Sequence, residues 1–88
     1  MQRQEKINNL PVTIYKHYSY DHNHNCLGFY VHFSCYINNH YVYKTFKKRK
    51  IDDSFDDKKF VYQSSLDWCK YISNYINLLN KKLEKELY

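Results

Sequence analysis

From Phe29 to Ile37 the chain alternates strictly: Phe29, Val31, Phe33, Cys35 and Ile37 are apolar, and Tyr30, His32, Ser34 and Tyr36 stand between them. A period of two residues is that of a β-strand with one buried face. Asn38-Asn39 follows, and because asparagine tolerates positive φ better than other non-glycine residues, the pair predicts a two-residue hairpin turn. A partner strand over His40 to Lys47 would then set Cys35 opposite Val42, Phe33 opposite Lys44 and Val31 opposite Phe46. One face of this hairpin is apolar apart from Lys44, and the other carries Tyr30, His32, Tyr36, Tyr41, Tyr43, Thr45 and Lys47.

A weaker alternation precedes it, with Val12, Ile14 and Tyr18 on one side and Thr13, Tyr15, His17 and Ser19 on the other. This predicts another strand, joined to the hairpin by the turn-forming stretch Asp21 to Asn25. Residues 1–11 are polar and end at Pro11, which predicts a flexible N-terminal arm. Residues 47–59 alternate in charge blocks around Ile51 and Phe55 and predict a surface loop. Ser64 with Asp67 three positions on suits a helix N-cap. After it, Trp68, Ile72, Tyr75, Ile76, Leu79, Leu83 and Leu87 recur at three- and four-residue steps. About 22 helical residues at 1.5 Å each would reach roughly 33 Å, enough to cross a small sheet and overhang it.

The expected fold is therefore α+β, a three-stranded antiparallel sheet packed on one long C-terminal α-helix, with residues 12–88 forming a single β-β-β-α domain. With 88 residues there is room for one core only. The composition, 43% hydrophobic and 19% aromatic with one glycine and one proline, is that of a folding chain rather than a linker. Crowding of Asn, Lys, Tyr and Ile resembles the products of AT-rich genes. Three cysteines, an odd number, and no secretory leader pattern lead to the expectation of a reduced, cytoplasmic protein. No run of about 18 apolar residues predicts a membrane span.

Charge changes the picture more than composition does. Residues 1–50 hold eight Lys and Arg against two acids, whereas residues 51–88 hold six against seven, so the net +5 belongs to the first half. A basic half with interleaved aromatics suits a polyanion, nucleic acid above all. The candidate binding residues are Tyr30, His32, Tyr36, Tyr41 and Tyr43 for stacking, with Lys47, Lys48, Arg49 and Lys50 for phosphates. Lys16 and Lys44 lie along or beside the same surface in this reading.

Three strands followed by a helix, with Thr45-Phe46-Lys47 closing the third strand, resembles the layout of AP2-type and tyrosine-integrase arm-binding domains. Those domains lay their sheet in a DNA groove, so the resemblance, which spans residues 12–87, implies a DNA-facing sheet. The connection from Lys48 to Ser64 is longer than theirs, and no residue role is carried over.

Other constellations point less far. His22-x-His24-x-Cys26 offers metal-ligand types but the spacing of no zinc finger or knuckle, and no metal or cofactor is expected. Asp52, Asp53, Asp56 and Asp57 lack the glycine and terminal glutamate of a calcium loop. No nucleophile, base and orienting group come together in a motif, and the single glycine, Gly28, cannot build a phosphate loop, so no enzyme is expected. The expected function is that of a small basic binding module engaging nucleic acid or a nucleoprotein. The alternative is a phage-type inhibitor of a host nucleoprotein machine, anti-CRISPR-like, in which the same tyrosines contact a protein. A homodimer through Leu79, Leu83 and Leu87 is compatible with either.

Overall fold

The computed structural model describes residues 2–7, 9–23 and 25–87, with side chains described as far as Lys82. It is α+β, with strands β1 (Gln2–Ile7), β2 (Leu10–Tyr20), β3 (Cys26–Ile37) and β4 (His40–Arg49) followed by one helix, α1 (Asp57–Leu87). The strands form one antiparallel sheet in sequence order.

The central hairpin follows the alternation in the sequence. Ile37 pairs with His40, Cys35 with Val42, Phe33 with Lys44 and Val31 with Phe46. Asn38 and Asn39 both take positive φ, 51° and 67°, the conformation that matches a two-residue turn to the right-handed twist of its strands. On the helix side, Val12, Ile14, Phe29, Val31, Phe33, Cys35, Ile37 and Val42 are buried against Val61, Trp68 and Ile72. The Trp68 and Phe33 rings stack at 5.6 Å and 18°, and Phe60 meets Phe29 edge-on at 5.6 Å. These two contacts run the helix along β3 in the same direction.

Three expectations need correction. The sheet has four strands, not three, because the residues expected as an N-terminal arm form β1, which pairs with β2 from Gln2↔Tyr15 to Ile7↔Leu10. Pro11 fits within β2 because the β2–β3 pairing begins only at Thr13, so Pro11 pairs on the β1 side alone. Second, β4 runs past Lys47, so Lys48 and Arg49 belong to it rather than to a loop. Third, the helix begins at Asp57, not at Ser64. Asp56 caps it by accepting the Lys59 N–H at 3.2 Å, and Ser64 is a small buried residue on the face that meets the sheet.

A helix of 31 residues is roughly 46 Å long at 1.5 Å per residue, longer than the sheet it covers. The radius of gyration is accordingly 16.2 Å, against about 12 Å for a compact chain of this length. Leu79 packs against the core; the side chains of Leu83 and Leu87, named for a homodimer, lie outside the described residues. No helix among the described residues is long and apolar enough to cross a membrane.

Candidate functional site

Strand pairing decides which side chains share a surface. Opposite the helix, β1 presents Gln2, Gln4 and Lys6, and β2 presents Thr13, Tyr15, His17 and Ser19. Gly28, Tyr30, His32, Ser34 and Tyr36 follow from β3, and Tyr41, Tyr43, Thr45, Lys47 and Arg49 from β4. Among the described residues no element covers this face. The loop after β4 turns to the other side, where Phe55 lies 5.3 Å from Phe29. Tyr36, Tyr43 and Tyr41 are 68%, 57% and 52% exposed.

The rings form two continuous groups. Tyr36, Tyr41, Tyr43 and His32 succeed one another at 5.4, 5.6 and 5.6 Å between centroids. Tyr15, His17 and Tyr30 are mutually 5.3–6.2 Å apart. Such spacings are those of rings in van der Waals contact. His32 Nδ1 and Thr45 Oγ1 lie 2.7 Å apart, which fixes the imidazole at the junction of β3 and β4.

Electrostatically the face has one sign. Its formal charges are Lys6, Lys47 and Arg49, and neither Asp nor Glu occupies any of its positions. Glu5, the one acid in the strands, points to the helix side and pairs with Arg3 at 3.2 Å.

The structure brings Tyr30, His32, Tyr36, Tyr41, Tyr43, Lys47 and Arg49 together as expected, and separates the others. Pleating sends Lys48 to the helix side, along with Lys16 and Lys44, and Lys44 Nζ sits 4.8 Å over the Tyr71 ring. Lys50 follows the strand at a positive φ of 58°, its N–H donating to the Leu27 carbonyl at 3.0 Å. Tyr15, His17 and Lys6 were missing from the expected set. The alternation after Val12 already set Tyr15 and His17 apart from the core, whereas Lys6 could be found only by recognising β1.

Cys35 is buried, and burial pushes its thiol above the ordinary range; Cys26 and Cys69 are free. Among the described residues no three His, Cys, Asp or Glu side chains group as metal ligands, and His24 of the histidine loop lies outside those residues. Asp21 accepts the N–H groups of Asn23 and Asn25 at 2.9 Å each, and the Asn25 and Asn23 N–H groups hold its carboxyl below the usual range. No family of known proteins, no curated protein and no solved structure matches the chain.

Proposed function

We propose that this protein binds single-stranded nucleic acid on the uncovered sheet face, without catalysing a reaction on it. The observation that carries the proposal is the composition of that face: contiguous exposed rings, flanked by Lys6, Lys47 and Arg49, with no carboxylate at any position. Rings exposed on a rigid sheet offer π-faces to any unstacked base, and stacking contributes about 1–3 kcal/mol per base. The cations lie at the margins, where a backbone passing over the rings would place its phosphates. A protein would not require a surface free of acids, whereas a polyanion gains from one. Duplex DNA fits less well, because its bases are already stacked and a flat surface of tyrosines reads no groove edge.

Fluorescence anisotropy of labelled single-stranded and duplex oligonucleotides at low and physiological salt tests the reading. The single strand should bind more tightly, with affinity falling as salt rises. The double variant Tyr41→Ala/Tyr43→Ala should lose roughly tenfold or more in affinity. Absence of binding to every oligonucleotide at low salt would exclude the proposal and turn the same rings over to a protein partner.

A further inference from the structure

At one end of the face the row of rings stops. Beyond Tyr30 and His17 the next positions are Gly28 on β3 and Ser19 on β2, neither of which offers a ring. A depression of about 720 Å³ opens there, bordered by Ser19, Gly28, Tyr30, Thr45, Lys47, Arg49 and Lys50, with Leu27, Phe29 and Lys48 completing its lining, and neither Asp nor Glu lines it. Gly28 is required by the geometry: a Cβ at this position would lie 2.8 Å from the Lys48 carbonyl oxygen and 3.6 Å from Ser19 Oγ. Without a side chain at 28, the end of β4 closes onto β3. None of Lys47, Arg49 and Lys50 has an ion-pair partner among the described residues.

We infer, on the basis of the single-strand reading above, that this depression seats the terminal phosphate of the bound strand. Position and charge support a terminal phosphate over an internal one. An internal phosphodiester carries one negative charge and must lie between two bases, yet the stacking surface continues on one side only. A terminal phosphate monoester carries about −1.5 to −2 at neutral pH and has its base on one side. Lys47, Arg49 and Lys50, with Lys48 also in the lining, match that charge beside the hydroxyls of Ser19, Tyr30 and Thr45, and the arginine can engage two phosphate oxygens at once. Tyr30 borders both the depression and the ring cluster, so a phosphate held there places the first base on Tyr30 and the following ones along the face.

The test compares otherwise identical oligonucleotides bearing a 5′-phosphate, a 3′-phosphate or no terminal phosphate, together with inorganic phosphate followed by amide chemical shifts. One phosphorylated form should bind about tenfold more tightly than the unphosphorylated strand, and which form does so gives the polarity of the bound strand. The preference should vanish in Lys47→Gln/Arg49→Gln and survive in Lys6→Gln, at the opposite corner. Inorganic phosphate should shift the Ser19, Gly28 and Tyr30 amides of the wild-type protein alone. If oligonucleotides bind with equal affinity whatever their ends, the phosphate seat is wrong and the single-strand reading stands. If no oligonucleotide binds but inorganic phosphate shifts those amides, the seat stands and the single-strand reading falls. If neither binds, both fall.

Discussion

Trp68 lies flat on Phe33, ring against ring, and through this contact the helix is committed to one side of the sheet. Both side chains are essentially inaccessible to solvent, and Phe33 also meets Phe46 edge-on at 5.8 Å. Truncating a buried aromatic removes its transfer free energy and leaves a cavity, so Trp68→Ala should cost about 3–5 kcal/mol. That is comparable with the whole stability expected of a domain this size. Urea unfolding followed by far-ultraviolet circular dichroism measures it; a cost under about 1 kcal/mol would mean that the stack does not anchor the helix.

Tyrosines on the other face should behave in the opposite way. Tyr36 and Tyr41 pack on one another and are largely exposed, and exposed substitutions away from core or caps usually change stability little. Tyr36→Ala and Tyr41→Ala should each lower stability by less than about 1 kcal/mol while weakening single-strand binding. Equal losses in stability and affinity would identify these rings as structural.

The Asn38-Asn39 turn makes a separate prediction. Both residues sit at positive φ, where a side chain with a Cβ is disfavoured by roughly 1–2 kcal/mol and asparagine less than most. Asn39→Gly should leave the melting temperature equal or higher, and Asn39→Ala should lower it. The reverse order would mean that the turn has another conformation.

Tyr18 links the sheet to the start of the helix by donating its hydroxyl to Asp57 Oδ2 at 3.0 Å. Burial, and then this bond to a carboxylate, raise the phenol above its ordinary 10.0. Because the folded value is the higher one, the contribution to stability is complete below 10.0 and is lost as pH rises through the folded value. The gap in melting temperature between wild type and Tyr18→Phe should therefore be constant from about pH 8 to about pH 10 and shrink above that. A gap that widens above about pH 10 would contradict the assignment.

How far the sequence reached depended on which residues touch the core. The β3–β4 hairpin was legible down to its register because every second residue of β3 from Phe29 to Ile37 is buried. β1 was not, since of Gln2 to Ile7 only Ile7 packs against the core, and a strand wet on both faces leaves no alternation. A usable signal was present in Asn8-Asn9, which repeats the Asn-Asn of the later turn; Asn9 has a φ of 66°. The helix start was misplaced because Asp56 to Lys59 read as a solvated charge run, although Phe60 and Val61 begin the apolar stripe that continues to Trp68 and Ile72. At the candidate surface, the rings followed from alternation. Beyond Lys47, the run to Lys50 could be sorted only once Lys48 and Arg49 were known to be strand, which divides Lys47 and Arg49 from Lys48.

Amide chemical-shift mapping of the protein titrated with a short labelled single strand tests most directly where binding takes place. The largest shifts should fall on Tyr15, Tyr30, His32, Tyr41, Tyr43, Lys47 and Arg49, with the outer helix positions Tyr62, Leu66 and Lys70 unmoved. Shifts concentrated on the helix, with the tyrosine face silent, would contradict the proposal.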